Sequence, residues 1–114
     1  MRLHRWKRLN RYTCLGALGA YMRVAAIVSD VTGIPTAQLT ARPKPGHRRR
    51  RDPLSSARRL AIYITVTKYN VRAGALARAL GRPRGKISSA CRLVEDARDD
   101  AAIDQLIERL EAML

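Results

Sequence analysis

The chain has 114 residues, enough for one compact domain and too few for two ordinary ones. Its 23 Lys and Arg against 9 Asp and Glu give a formal net charge of +14, which points to nucleic acid as partner, with an anionic membrane surface as the competitor. An apolar share of 46% excludes wholesale disorder, and the scarcity of aromatics (4%, with no Phe) argues against the stacking platforms of single-strand binders.

Met1 to Tyr12 reads as a basic arm. Leu3, Trp6 and Leu9 have helical spacing, but so short a segment is marginal as an isolated helix. The uncharged run from Tyr12 to Met22 is short, holds Gly16 and Gly19, and ends at Arg23 without a small-residue cleavage site. Neither a signal peptide nor a membrane span is expected there. A helix is predicted from about Thr13 to Val31. Met22, Ala25, Ala26 and Ser29 share one of its faces, and Val24, Ile27, Val28 and Val31 form a second apolar stripe. Gly33 should end it as a C′ residue, and Pro35 should open a short helical turn through Leu39.

Ala41 to Pro53 holds three prolines, one glycine and the run Arg48, Arg49, Arg50 and Arg51, and should be a solvated loop. Asp52 and Pro53 have the order of an N-cap and a first helical residue. The next helix should reach about Tyr69 and bury Ala57, Leu60, Ala61 and Ile64. Its second half, Ile62 to Thr67, is β-branched and favours a strand on propensity alone. No other segment offers it a strand partner, so it is read as helix. Arg72 to Leu80 is an Ala/Leu/Arg helix broken at Gly81. A further helix follows Pro83, with Ile87, Ala90, Cys91 and Val94 at i, i+3, i+4 and i+7. Asp99 or Asp100 caps a last helix with Ile103, Leu106, Ile107, Leu110 and Leu114 on one stripe. The expected fold is an all-α bundle of about five to six helices, a single domain over residues 13–114 behind the basic arm.

The charge is unevenly placed. Residues 1–94 hold 21 Lys and Arg against Asp30 and Asp52, whereas residues 95–114 hold Arg98 and Arg109 against seven acids. A polyanion should meet the first part of the chain. The acidic last helix should close the core, or offer Leu106, Leu110 and Leu114 to a protein partner or a second copy. Cys14 and Cys91 lack zinc spacing and read as buried thiols in a reducing compartment, so no metal site is expected. His4 and His47 lie in basic segments and read as solvent or phosphate-side residues. Tyr63 and Trp6 read as packing residues. No Ser/His/Asp set or catalytic carboxylate pair is visible, so neither an enzyme nor a cofactor is expected. Gly81 to Ile87 misses the phosphate-binding-loop spacing by one residue and lacks Ser or Thr after Lys86, which speaks against nucleotide binding. A cytoplasmic, nucleoid-associated protein is the reading that follows.

The pair of helices around Gly81 has the logic of a helix-turn-helix. Ala77 is small enough for close approach, Gly81 suits a tight turn with positive φ, and Ile87 pins the second helix to the first beside Leu76 and Leu80. Arg84, Lys86, Ser88 and Ser89 then face outward at the start of the second helix, as donors to phosphates and base edges.

From Val24 to Asp96 the chain resembles the carboxy-terminal DNA-binding domain (domain IV) of the bacterial replication initiator DnaA. The resemblance rests on Gly33-Ile34-Pro35 with Leu39 after it, the basic loop, and Arg58-Arg59-Leu60-Ala61-Ile62-Tyr63. It continues through Ala75 to Gly81-Arg82 and then Ile87, Ala90-Cys91-Arg92, Val94 and Glu95. It implies duplex DNA as partner, with Arg48 to Arg51 in the minor groove; Arg58, Arg82 and Arg92 stand beside Arg84, Lys86, Ser88 and Ser89 as further candidate DNA contacts. That family reads its box with Asp-His-Thr after the position of Arg82; here Pro83, Arg84 and Gly85 stand there. Stand-alone domains of this kind occur in bacteria and in phage-derived clusters, including activators of gene transfer agents, so the resemblance implies a transcriptional activator. The alternative is a nucleoid- or ribosome-associated basic protein that uses charge without sequence.

Overall fold

The computed structural model describes residues 14–41 and 52–114. The basic arm and the run Arg48 to Arg51 lie outside them. Among the described residues there are six helices and no strand: α1 (Cys14–Thr32), α2 (Thr36–Thr40), α3 (Pro53–Lys68), α4 (Ala73–Leu80), α5 (Arg84–Ala97) and α6 (Ala101–Ala112).

Helix α1 buries Ala17, Tyr21, Val24, Ala25 and Val28, one stripe that cuts across both faces drawn from the sequence. Met22 and Val31 are left exposed. It ends as expected: Gly33 takes φ 77° and its N–H donates to Ser29 O at 2.8 Å. Pro35 serves as N-cap of α2, one position earlier than a first helical residue. The Tyr21 hydroxyl donates to Leu39 O at 2.7 Å, tying the short α2 to α1.

Helix α3 opens on Asp52, whose carboxylate accepts from Leu54 N, with Pro53 in the first turn. It runs through the β-branched segment without a break. Two features offset the poor propensity of that stretch. Its side chains Ile62, Ile64 and Thr65 are buried against α1 and α5, and the hydroxyls of Thr65 and Thr67 donate back to Ala61 O and Tyr63 O at 2.7 and 2.9 Å. α3 is the central helix, packed on α1, α2, α5 and α6.

Helices α4 and α5 follow, joined through Gly81, Arg82 and Pro83. Asp100, rather than Asp99, caps α6 by accepting from Ala102 N at 2.9 Å. Ile107 and Leu110 are buried, with Ile103, Leu106 and Leu114 packed beside them. Of the stripe considered for a partner, Leu110 is buried and Leu106 and Leu114 keep part of their surface in solvent. No helix among the described residues is long and apolar enough to cross a membrane.

Candidate nucleic-acid interface

The α4–α5 corner is fixed by a glycine and a buried isoleucine. Gly81 adopts φ 65° and ψ 38°, a left-handed conformation that costs any residue with a Cβ. The turn is closed by Gly81 N donating to Arg78 O and Arg82 N to Ala77 O, at 3.3 and 2.9 Å. Ile87 is completely buried, Leu76 likewise, and Ala77 nearly so. α5 is therefore held against α3 and α4 by Ile87, Ala90 and Val94, and everything on its far side faces solvent.

That far side is Arg84, Gly85, Lys86, Ser88, Ser89, Arg92, Leu93, Glu95 and Asp96, all exposed. At about 100° per residue, Gly85, Ser89, Arg92 and Asp96 form the stripe most directly opposite the buried one. Arg84 and Ser88 flank it on one side, Lys86 and Leu93 on the other. The cations thus lie at the N-terminal end and the acids at the C-terminal end. The Arg84 stem lies beside Gly74 in the first turn of α4: a Cβ on Gly74 would stand 4.0 Å from Arg84 Cδ.

This ordering runs against the helix's own electrostatics. A helix is stabilised by acids in its first turn and bases in its last. α5 has no acid in the first turn and no base in the last, and neither Arg72 nor Pro83 supplies a side-chain cap to α4 or α5. The contrast is with α3 and α6, where Asp52 and Asp100 do so. Residues 53–94 contain nine Lys and Arg and no acid.

Arg58 and Arg82 are placed differently from the α5 residues. Arg58 is only 9% exposed, and its Nε and Nη2 both donate to Gln38 O, at 3.1 and 2.8 Å. Its guanidinium holds the end of α2. Arg82 is half-buried, and its pKa is lowered by burial, with Tyr21 raising it and Arg58 lowering it. Burial pushes the Tyr21 phenol up to about 12, so it stays neutral beside them. Among the described residues no carboxylate pairs with Arg58 or Arg82. Sequence reasoning treated Arg58 as a surface contact and passed over Tyr21, although its spacing to Val24, Ala25 and Val28 marks it as part of the buried stripe.

At the other end of α5 a four-residue cluster locks three helices together. Tyr63 of α3 is buried and its hydroxyl donates to the Glu95 carboxylate; burial first, then Glu95, push its pKa above the ordinary value. Arg98 Nη1 donates to the Tyr63 hydroxyl at 3.1 Å and Nε to Asp104 of α6 at 2.6 Å, with the guanidinium 6.0 Å from the Tyr63 ring centre. Those bonds to Tyr63 and Asp104 hold the charge of Arg98 more firmly than usual. The half-buried Cys91 thiol is pushed up by burial and by Glu95, away from thiolate chemistry. Among the described residues no three His, Cys, Asp or Glu side chains are gathered in a way that could hold a metal ion.

Comparison with protein-family models, with curated proteins and with solved structures returned no match, so the functional reading rests on the chain's own residues.

Proposed function

We propose that the chain is a sequence-specific duplex-DNA-binding regulator that uses α4 and α5 as a helix-turn-helix, with α5 entering the major groove N-terminus first. The observation that carries this reading is the reversed charge order of α5: Arg84 and Lys86 in its first turn, Glu95 and Asp96 in its last. That order works against the isolated helix and suits a helix whose first turns meet phosphates while its last turn stays clear of them. The exposed row of Arg84, Ser88 and Arg92 supplies donors for guanine edges and phosphate oxygens. The four arginines 48–51 add a minor-groove contact, Arg82 a backbone contact, and Arg58 acts behind it. The fold is related to the DNA-binding domain of the initiator DnaA, and the role is transcriptional activation, as in phage-derived or gene-transfer-agent clusters.

A charge-only nucleoid or ribosome role is the second reading. It is favoured by Gly85, which brings no side chain to the exposed start of α5. Selection from random duplexes separates the two, because specific reading enriches a motif and charge-only binding enriches none. The expected motif contains a guanine contacted by Arg84 or Lys86 and differs from the initiator's box. Arg84→Ala should then cost about 1–3 kcal/mol of discrimination at one or two base pairs, more than it takes from non-specific binding. Recovery of the initiator's box as the best site would refute the specificity claim.

A further inference from the structure

We infer that the outward face of α1 joins two copies of this chain as an antiparallel, two-fold dimer. α1 packs chiefly on α2, α3 and α4, and its other side faces solvent. That side is made of two neighbouring rows at i, i+4 and i+8: Met22, Ala26 and Asp30, then Arg23, Ile27 and Val31. Of these only Ile27 is part-buried, and Met22 and Val31 keep 41% and 43% of their surface in solvent. A surface helix ordinarily turns a charged face outward, whereas α1 carries Arg23 and Asp30 as its only charges in 19 residues.

Those two charges say what covers the face. Arg23 and Asp30 lie about 20° apart around the helix and about 10.5 Å apart along it. Neither has an ion pair or a side-chain hydrogen bond with another described residue. Their midpoint falls between Ala26 and Ile27. A second α1 laid antiparallel about that point sets Arg23 opposite Asp30 of the second copy at both ends of the contact. Between them Ala26 meets Ala26 and Ile27 meets Ile27. Laid parallel, the second helix sets Arg23 on Arg23 and Asp30 on Asp30. The face is complementary to itself in one sense only, as an isologous contact requires. Net charge supports the same choice, because two chains of +14 repel wherever their surfaces carry an excess of one sign. α3 has three cations and no acid, and α6 has three acids against Arg109, so pairing either with its own copy opposes like charges. α1 balances one cation with one acid. On the DNA-binding reading, such a dimer carries two copies of α5 related by the same two-fold axis, which suits an inverted-repeat site.

The test is sedimentation equilibrium of the full chain, free of nucleic acid, at concentrations up to on the order of 100 μM. A mass approaching twice the 12.8 kDa of one chain is expected. Arg23→Asp and Asp30→Arg, each alone, are expected to weaken the dimer roughly tenfold, since each opposes like charges at both ends. Combined, they restore reciprocal pairing at the native composition and net charge, and the dimer is expected to return to near its native strength. Ala26→Lys, a long cation in the middle of the joint, is expected to leave a monomer. At low concentration all these variants should melt as the native chain does, because the three positions are exposed. A native chain that stays monomeric overturns the inference, whatever covers the face in place of a second copy, the basic arm of the same chain included. A dimer that survives the single swaps or Ala26→Lys overturns it too, because the joint would then lie elsewhere. So does a double swap no tighter than the single ones. None of these outcomes bears on whether one chain binds duplex DNA.

Discussion

Ile87 lies completely buried where α5 meets α3 and α4, with no polar side chain of its own to reach water. Ile87→Asp places an unpaired carboxylate there and should destabilise the fold by about 4 kcal/mol, read as a lowered midpoint in urea. Tyr21 gives a pH dependence with a definite sign. Its pKa is raised from 10.0 to about 12 by burial, so the unfolded chain loses the phenolic proton first as pH rises. The folding stability carried by the neutral phenol is complete below pH 10 and declines between about 10 and 12. Melting temperature followed across that window should fall, and Tyr21→Phe should flatten this part of the decline. Residues whose role is set by local backbone were legible in the sequence: Gly33 and Gly81, where only glycine takes the left-handed turn cheaply. Arg58 was not, because a sequence does not reveal which carbonyl a buried guanidinium will be needed to satisfy, here Gln38 O.

At the scale of elements, the caps were the most readable features. Asp52 with Pro53 and Asp100 stand where the helix starts require them, and each carboxylate accepts the expected backbone N–H. The buried face of α1 was harder to read, since small and branched apolar residues surround the helix and two stripes compete. Tyr21 settles the rotation on a stripe that takes residues from both, because its hydroxyl donates to the Leu39 carbonyl. α3 shows propensity overridden by packing, with Thr65 and Thr67 returning their hydroxyls to the backbone. The basic run Arg48 to Arg51, outside the described residues, belongs at this scale as well. Replacing arginines 48–51 together by Ala should weaken binding to most duplexes and lessen its salt dependence. The unfolding transition should stay cooperative, because a segment rich in Pro, Gly and Arg contributes little to a core. A lost or broadened transition would show that the segment is structural instead.

For the whole molecule, the net charge of +14 predicts binding dominated by counterion release. If roughly 6 phosphates are neutralised, log K should fall with log[salt] with a slope near −5 on duplex DNA. A slope shallower than about −2 would remove the electrostatic basis of the reading, and a single-stranded RNA bound much more tightly would favour the ribosomal role. The six helices among the described residues followed from length and punctuation. The docking of α6 on α3 through Arg98, Tyr63 and Asp104 did not, because it joins residues far apart in the chain. The reversed charge order of α5 has one more consequence, for motion. With cations at its start and no capping side chain, the first turn of α5 is the part of the helix that frays most readily. Phosphates placed against it would turn that local repulsion into attraction, so on the proposed reading the turn would tighten against a duplex. The amide hydrogens of Ser88, Ser89 and Ala90, which bond to the carbonyls of that turn in a regular helix, should therefore exchange with solvent markedly more slowly once DNA is bound.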